Sequence, residues 1–171
     1  MDTEVLFEGK MNLTFGQIHL MSGDTDRPDF DDSRRGQANG ICGAAEPGRL
    51  LLATGLHTGY VLLRIEHSGQ EPAVDDAWED IVEVSFLPAA PDVLVHGLDG
   101  SASAEFRLPI RSYRVRYSAI GMDEGNRVNV VGDGEPVVDR YLLQFWPAGA
   151  AADAVRKQTS TVAKQWHQDW R

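Results

Sequence analysis

Five aspartates between positions 24 and 32 form the densest group of potential metal ligands in the sequence. Because Ca²⁺ takes several carboxylate oxygens from a flexible loop, the stretch suggests a calcium site. The spacing is not that of an EF-hand, since Pro28 interrupts it, no glycine occupies the turn and no glutamate closes the loop. We therefore predict a solvated acidic loop, with a weak, all-oxygen metal site as the alternative. The five residues are Asp24, Asp26, Asp29, Asp31 and Asp32.

Nucleophilic catalysis needs a cysteine or serine beside a base, and the sequence shows no such motif. Cys42 lies between Ile41 and Gly43 without a cationic neighbour to lower its pKa, so we expect it to pack in the core. Ser68 and Ser85 lack the G-x-S-x-G elbow, and no glycine-rich phosphate loop occurs. We predict no catalytic residue, no metal ligand and no cofactor. The histidines, spread over separate elements without a metal-binding motif, are His19, His57, His67, His96 and His167.

The charged residues include two blocks of opposite sign. Six acids and no base lie between Glu71 and Glu83, whereas four arginines and no acid lie between Arg107 and Arg116. Two outcomes are open: either the folded surface is bipolar, or the blocks neutralise each other across adjacent strands, as opposite charges commonly do in sheets. The acids are Glu71, Asp75, Asp76, Glu79, Asp80 and Glu83, and the arginines are Arg107, Arg111, Arg114 and Arg116.

The overall charge restricts the possible partners. The sequence has 26 acidic and 16 basic residues and a formal charge of -10, which repels phosphate backbones and anionic lipid. Direct binding of nucleic acid or membrane is therefore not expected. The N-terminal MDTEVLFEGK lacks the basic residues of a signal peptide, and no apolar run approaches the roughly 20 residues that span a bilayer. With a single cysteine no intrachain disulfide can form, and we predict a cytoplasmic protein.

Short stretches of alternating apolar and polar residues predict the elements that position these side chains. The stretch from Ile81 to Phe86 places apolar residues on one face, and the same alternation from Tyr113 to Tyr117 directs Arg114 and Arg116 outward. Such stretches predict an all-β, mainly antiparallel fold, either a β-sandwich or an open barrel. The predicted strands are 3–7, 12–21, 49–54, 60–67, 81–87, 93–96, 104–108, 113–120 and 141–146.

A helical period appears only near the C-terminus. It predicts a helix over about 152–170 that packs on the sheet, with Asp153 or a neighbour as its cap. The stretch from Ser22 to Gly48 lacks a convincing strand over most of its length, and loops of this length are usually functional or disordered. Without repeats or linkers we predict a single domain, 1–171, with the β-sandwich over about 1–148. The apolar stripe of the helix is Val155, Val162, Trp166 and Trp170.

Several segments occur in a recognisable order. Phe15-Gly-Gln17-Ile18-His-Leu20 is followed by the acidic loop and Gly36-Gln37, and later by the stretches Arg111 to Tyr117 and Tyr141 to Pro147. In this layout the chain resembles the competence protein J family. The resemblance implies a small β-sandwich that inhibits a DNA-entry nuclease, and it assigns no site residue. The C-terminal helix, the arginine-rich strand and the Ala/Gly-rich stretch around Cys42 depart from that pattern. The two final stretches also resemble uncharacterised bacterial β-sandwich proteins, which implies fold only.

Two hypotheses of function follow. The first is a non-enzymatic protein-binding module, an inhibitor or immunity-type protein whose acidic surface complements a basic protein such as a nuclease. The second is a small-molecule or anion-binding β-sandwich, or an enzyme, with a cleft lined by Arg114, Arg116 and nearby histidines, because arginine forks bind carboxylates and phosphates. Under the first hypothesis the partner-binding residues are Asp75, Asp76, Trp78, Glu79, Asp80 and Glu83.

Overall fold

The computed structural model describes residues 2–98 and 103–169, and Trp170 of the predicted C-terminal helix lies outside these described residues. The described helices are α1 (Met122–Val128) and α2 (Thr161–Asp169), and a 3-10 turn spans Asp32–Arg34. The described strands are β1 (Thr3–Leu13), β2 (Gln17–Ser22), β3 (Cys42–Gly43), β4 (Arg49–Ala53), β5 (Thr58–Ser68), β6 (Asp80–Phe86), β7 (Asp92–Gly97), β8 (Ser103–Arg107), β9 (Tyr113–Ile120), β10 (Val130–Val131), β11 (Arg140–Pro147) and β12 (Ala154–Lys157).

The strands form two sheets that share one apolar core. Sheet A has the order β1-β5-β11-β9-β6-β12, with β10 also paired to β5, and sheet B has the order β3-β4-β2-β7-β8. Strand β5 pairs in parallel with β10 and β11, and the other pairings among the described strands are antiparallel. The prediction of a mainly antiparallel β-sandwich with a C-terminal helix is confirmed.

The core forms because apolar residues alternate along the strands of both sheets. Val82 and Val84 of β6 and Val115 of β9 belong to the same buried cluster as Leu50 and Leu52 of β4. Removal of this apolar surface from water is the main favourable contribution to folding. The period of two that predicted these strands therefore also fixes which side chains face the opposite sheet.

The outer face of each sheet is partly covered by a segment without strands. Residues 69–79 cross the outer face of sheet A, where Arg116 donates a hydrogen bond to a backbone carbonyl of this segment. Residues 23–41 cover sheet B, since His19 and Leu51 face away from the core and are still buried. The 3-10 turn within this segment contacts β3 and β4. The two acidic stretches of the sequence thus lie on opposite sides of the sandwich.

The C-terminal helix begins later than predicted. Residues 154–157 form the edge strand β12, which pairs with β6, and helix α2 follows only after a short connection. The Asp80 carboxylate accepts hydrogen bonds from the backbone amides of Thr159 and Ser160, which holds this connection out of helical geometry. The Ser160 hydroxyl oxygen then accepts a hydrogen bond from the amide of Ala163 and caps the first turn.

Helix α1 was not among the predicted elements. It follows Gly121, which has a left-handed backbone (φ +88°), and its Met122 is fully buried. The Asp123 carboxylate accepts hydrogen bonds from the amides of Thr161 and Val162, so α1 caps the start of α2. The two helices therefore pack together at one end of the sandwich. Neither of these described helices has the length and apolar run that crossing a bilayer requires.

Candidate functional site

The two charge blocks of the sequence meet in one buried cluster. Glu83 on β6 lies opposite Arg116 on β9, and its Oε2 is 2.9 Å from Arg116 Nε. The same oxygen is 3.1 Å from Arg156 Nη1, and Glu83 Oε1 is 3.7 Å from Arg114 Nε. Only 5% of Glu83 and 1% of Arg116 are exposed. Neutralisation across adjacent strands therefore occurs at Glu83, whereas Asp75 and Asp76 of the same acidic block are exposed and, in the described structure, pair with no arginine of the basic block.

Arg116 also fastens the segment 69–79 to sheet A. Its Nη1 donates to the backbone carbonyl of Pro72 at 2.8 Å, and its Nη2 lies 3.2 Å from Glu71 Oε1. The guanidinium carbon is 5.0 Å from the ring centroid of Trp146, which places a cation over an aromatic face. Each guanidinium nitrogen of Arg116 thus has a partner within the chain. Arg116 points away from the core, as predicted, but its side chain is buried and does not reach solvent.

Arg114, the other residue of the predicted anion site, is occupied in the same way. Its Nη1 and Nη2 donate to the backbone carbonyls of Ala151 and Ala152 at 3.1 and 2.8 Å. The side chains of Arg114 and Arg116 therefore bind groups of the protein itself. In the described residues they tie the chain before β12 and the segment 69–79 to sheet A rather than lining an open cleft.

Two of the six predicted partner-binding residues are buried inside the chain. Asp80 is fully buried, with Oδ1 2.8 Å from the amide nitrogen of Thr159, and Glu83 lies in the arginine cluster. They are buried for different reasons: Asp80 has the parity of the core-facing residues of β6 and binds the chain that leads into α2, whereas Glu83 points outward and is covered by its arginine partners. Glu79 is half-buried, and its carboxylate accepts a hydrogen bond from the Gly121 amide at 2.8 Å.

The other predicted residues lie at the surface beside a groove. Asp75 and Asp76 are exposed, and Trp78 is half-buried. Trp78 and Asp75 line a cavity of about 590 Å³ on the outer face of sheet A, to which Leu62 and Leu142 contribute apolar surface. We call this cavity the Trp78 groove. It combines an aromatic side chain, aliphatic surface, three carboxylates and the guanidinium groups of Arg64 and Arg140 in one depression.

The acidic loop on the opposite side is anchored, but its five aspartates are exposed. Pro28 is buried, and the Asp29 amide donates to Glu46 Oε1 at 2.7 Å. At the far end of the loop the Asn39 amide donates to Asp153 Oδ2 at 2.7 Å. Within residues 2–98 and 103–169 no three His, Cys, Asp or Glu side chains converge in a way that could hold a metal ion.

The candidate nucleophiles occupy structural positions. Cys42 is fully buried, as predicted, and burial raises the pKa of its thiol to about 12, so the thiol is protonated at neutral pH. The Ser68 hydroxyl shares a hydrogen bond with the Thr3 hydroxyl at 3.0 Å. The Ser85 hydroxyl accepts from the Ala151 amide at 3.0 Å. The first contact joins the start of β1 to the end of β5, and the second fastens the chain before β12 to β6.

A second cavity, of about 300 Å³, lies at the end of the sandwich where the two helices pack, and no pattern in the sequence indicated it. Two edge-to-face aromatic pairs line it. The ring centroids of Phe15 and His57 are 5.2 Å apart, and those of Phe30 and Trp166 are 5.7 Å apart. Phe15 is 62% exposed and Phe30 is 37% exposed. We call this cavity the end cleft.

A buried arginine supports one aromatic pair of the end cleft. Arg34 is 1% exposed, and its Nε and Nη1 donate to the backbone carbonyls of Gly40 and Phe30 at 2.8 and 2.7 Å. Its guanidinium carbon lies 4.6 Å from the ring centroid of Phe30 and 5.2 Å from that of Trp166. Burial lowers the pKa of Arg34 to about 10, so the group stays charged at neutral pH.

The end cleft also contains the two residues other than glycine whose φ is positive in the described structure, Phe15 at +56° and Asn129 at +69°. Such a conformation costs on the order of 1–3 kcal/mol for a bulky residue and persists only where neighbours enforce it. Here the Gly16 amide donates to the carbonyl of His57, and the Thr54 amide donates to the carbonyl of Gly16, both at 2.9 Å. The Phe15-Gly16 dipeptide is visible in the sequence, but its strain is not.

Core tyrosines fix the floor of the end cleft. The Tyr141 hydroxyl accepts a hydrogen bond from the Gly55 amide at 2.8 Å and donates to Asp139 Oδ2 at 2.6 Å. The Tyr117 hydroxyl donates to the carbonyl of Ala53 at 2.8 Å. Burial raises the pKa of both tyrosines well above 10 and also raises that of Asp139. A side chain at Gly55 would overlap the backbone of α1. The turn between β4 and β5 is therefore held rigidly against sheet A.

Comparison with known proteins identifies this architecture. No protein-family model and no curated protein matches the chain. A solved structure of ComJ from Bacillus subtilis, an inhibitor of the DNA-degrading activity of NucA, has a TM-score of 0.59 at 14% sequence identity and covers 86% of this chain and 100% of ComJ. The chain shares the ComJ fold. The structure titled "Crocagin biosynthetic gene J" is similar as well, with a TM-score of 0.56 and 15% identity over 87% of this chain and 100% of that one. The predicted resemblance to the competence protein J family is confirmed at the level of fold.

Proposed function

We propose that this protein is a non-enzymatic binding module that inhibits a basic protein partner, such as a nuclease, by covering the surface with which the partner binds nucleic acid. The ComJ fold supports this role, since ComJ inhibits the DNA-degrading activity of NucA. The formal charge of -10 supports it independently, because it attracts a basic protein and repels nucleic acid.

The observation that carries the proposal is the Trp78 groove with its exposed carboxylates. Tryptophan is among the residues that dominate binding energy in protein interfaces. Within the described part of the chain neither Asp75 nor Asp76 forms an ion pair with a basic side chain. Of the two arginines that line the groove, Arg64 is paired with Glu8 and Glu66, and the exposed Arg140 is outnumbered by the carboxylates around it. The surface around the groove is therefore suited to a basic partner.

The segment that carries these residues is held in place before any partner binds. Arg116 fixes its start through the carbonyl of Pro72, and the Lys157 ammonium donates to the carbonyl of Asp76 at 2.8 Å. A preordered interface loses less conformational entropy on association, so more of the contact energy appears as affinity. The same acids steer a basic partner towards the groove and raise its association rate.

The test is a pull-down from the native lysate with immobilised protein at about 0.1 M and about 1 M salt, where screening lengths differ severalfold. Three forms are compared: the natural protein, Asp75→Asn with Asp76→Asn, and Asp24→Asn with Asp26→Asn. The last variant changes the charge equally on the opposite face of the sandwich and serves as the matched control. A recovered protein is then assayed for DNA degradation with and without added inhibitor.

The proposal predicts that the natural protein recovers a basic protein at low salt and not at high salt. At low salt the Asp24/Asp26 control should recover the same protein, and the Asp75/Asp76 variant should not. Its DNA-degrading activity should fall when the natural protein is added. Equal recovery by all three forms, or no loss of the partner's activity, would contradict the proposal.

A further inference from the structure

We infer that the end cleft receives a tryptophan or tyrosine side chain that a protein presents between basic residues. This site lies at the helix-bearing end of the sandwich and uses none of the residues of the Trp78 groove. The inference is therefore independent of the function proposed above.

The first support is the exposure of the rings that line the cleft. Phe15 holds 62% of its surface in water although exposed apolar area is unfavourable by about 25 cal/mol per Å². Its positive φ and the hydrogen bonds around Gly16 direct this residue away from the core. Phe30, from a different part of the chain, is also exposed at the same cavity. A partner that covers both rings recovers the lost hydrophobic free energy.

The second support is the chemistry of the cavity wall. Two edge-to-face pairs, Phe15 with His57 and Phe30 with Trp166, show the geometry in which a further aromatic ring packs favourably. The exposed amide side chains of Asn126 and Asn129 line the same cavity. They can accept a hydrogen bond from an indole N–H, and they can accept from or donate to a phenol hydroxyl. At about 300 Å³ the cavity lies at the small end of ligand pockets. This combination suits one amphipathic aromatic side chain.

Charge around the cleft selects the residues that flank this side chain. Asp29 and Asp31, on either side of Phe30, are exposed and form no ion pair in the described structure. Asp32 and Glu124, in contrast, are neutralised by Arg35 and Arg127. Asp29 and Asp31 act electrostatically on Arg35, and Asp31 also acts on Arg34, but within residues 2–98 and 103–169 neither is held in an ion pair. As exposed carboxylates beside Phe30, they favour lysine or arginine next to the inserted ring.

The same charges disfavour other occupants. A phosphate or carboxylate ligand would be repelled by Asp29 and Asp31, the exposed chain neighbours of Phe30. A lysine or arginine side chain would meet the Arg34 guanidinium inside, which already lies against the rings of Phe30 and Trp166. An uncharged aromatic side chain with basic neighbours avoids both repulsions.

The test is an NMR titration of the ¹⁵N-labelled full chain with the blocked peptide acetyl-Lys-Trp-Lys amide. Two comparison peptides separate the contributions, one with alanine in place of tryptophan and one with glutamate in place of both lysines. We expect saturable shifts of the Gly16, Gly55 and Asn129 amides with the first peptide and none with the alanine peptide. The glutamate peptide should bind at least about threefold more weakly, because the Asp29 and Asp31 carboxylates repel its two glutamates.

A pair of variants locates the site. Phe15→Gly removes the ring and relieves the positive φ, so the fold is preserved, and affinity for acetyl-Lys-Trp-Lys amide should fall about tenfold, the effect of losing one interface anchor. Leu87→Ala removes an apolar side chain that is 58% exposed elsewhere, and it should leave affinity unchanged. The inference is overturned if the tryptophan peptide shifts amides outside the cleft, if the alanine peptide shifts the same amides, or if Phe15→Gly binds like the natural protein.

Discussion

Replacing Glu83 by glutamine tests the buried ion cluster that joins the two charge blocks. The carboxylate is 5% exposed and faces three guanidinium groups, with its shortest contact, 2.9 Å, to Arg116. Without it, Arg116 stays buried with only Glu71, two backbone carbonyls and the Trp146 ring as partners. Removing one partner of a buried ion pair costs about 3–5 kcal/mol. Glutamine keeps an acceptor oxygen, so we expect the unfolding free energy to fall by about 3 kcal/mol.

The measurement is urea denaturation followed by tryptophan fluorescence, with the denaturant slope checked for constancy. Asp92→Asn is the matched control, because Asp92 pairs with Arg107 at 2.7 Å while their side chains are 77% and 71% exposed. An exposed pair contributes less than about 1 kcal/mol. If Glu83→Gln costs no more than Asp92→Asn, the cluster does not have the energetic role assigned to it.

A double-mutant cycle separates the pair from its surroundings. Arg116→Met alone leaves the Glu83 carboxylate with Arg156 and Arg114, and the double variant removes both buried partners. The double variant should therefore lose less stability than the sum of the two single variants, by about 1–3 kcal/mol. Strict additivity would show that the two groups do not interact in solution.

The other predictions concern the core and the end cleft. Tyr141→Phe removes the acceptor of the Gly55 amide, so the free energy of unfolding should fall by about 1–3 kcal/mol and hydrogen exchange at that amide should accelerate. Unchanged exchange would show that the Tyr141 hydroxyl does not hold the Gly55 amide in solution. Burial lowers the pKa of His19 to about 4, below its ordinary 6.5, so the unfolded chain binds a proton between these values that the folded chain excludes. Stability should therefore fall by up to about 3 kcal/mol as pH decreases from 6.5 to 4, and a plot of urea midpoint against pH should be flatter for His19→Gln than for the natural protein. At Phe15 glycine should be more stable than alanine by about 1 kcal/mol in urea melts, because only glycine adopts the positive φ without strain, and the reverse order would refute that strain. Cys42 should resist thiol reagents in the native state and react after unfolding, and rapid native labelling would show that it is not buried in solution.

The fold class was accessible from the sequence because its signals are local. Alternation from Ile81 to Phe86 and from Tyr113 to Tyr117 depends only on neighbouring residues, and it correctly divided core from outer face. The other local signal, the helical period, was wrong at Val155, which it assigned to the C-terminal helix. There an edge strand pairs with β6, which is more than 70 positions away in the sequence, and it overrides the local preference.

The candidate sites depend on contacts that no local pattern encodes. Sequence alone determined the acidic balance, the strand parity and the outward direction of Arg116. Only the tertiary structure decided that Arg116 is buried, because the segment 69–79 covers it and supplies Glu71 from 45 positions away. It likewise brought Phe15 beside His57 and Phe30 beside Trp166, in a cleft built from several separate parts of the chain. The physical reason is that periodicity fixes which way a side chain points, whereas burial, ion pairing and cavity shape depend on which distant segment packs against it.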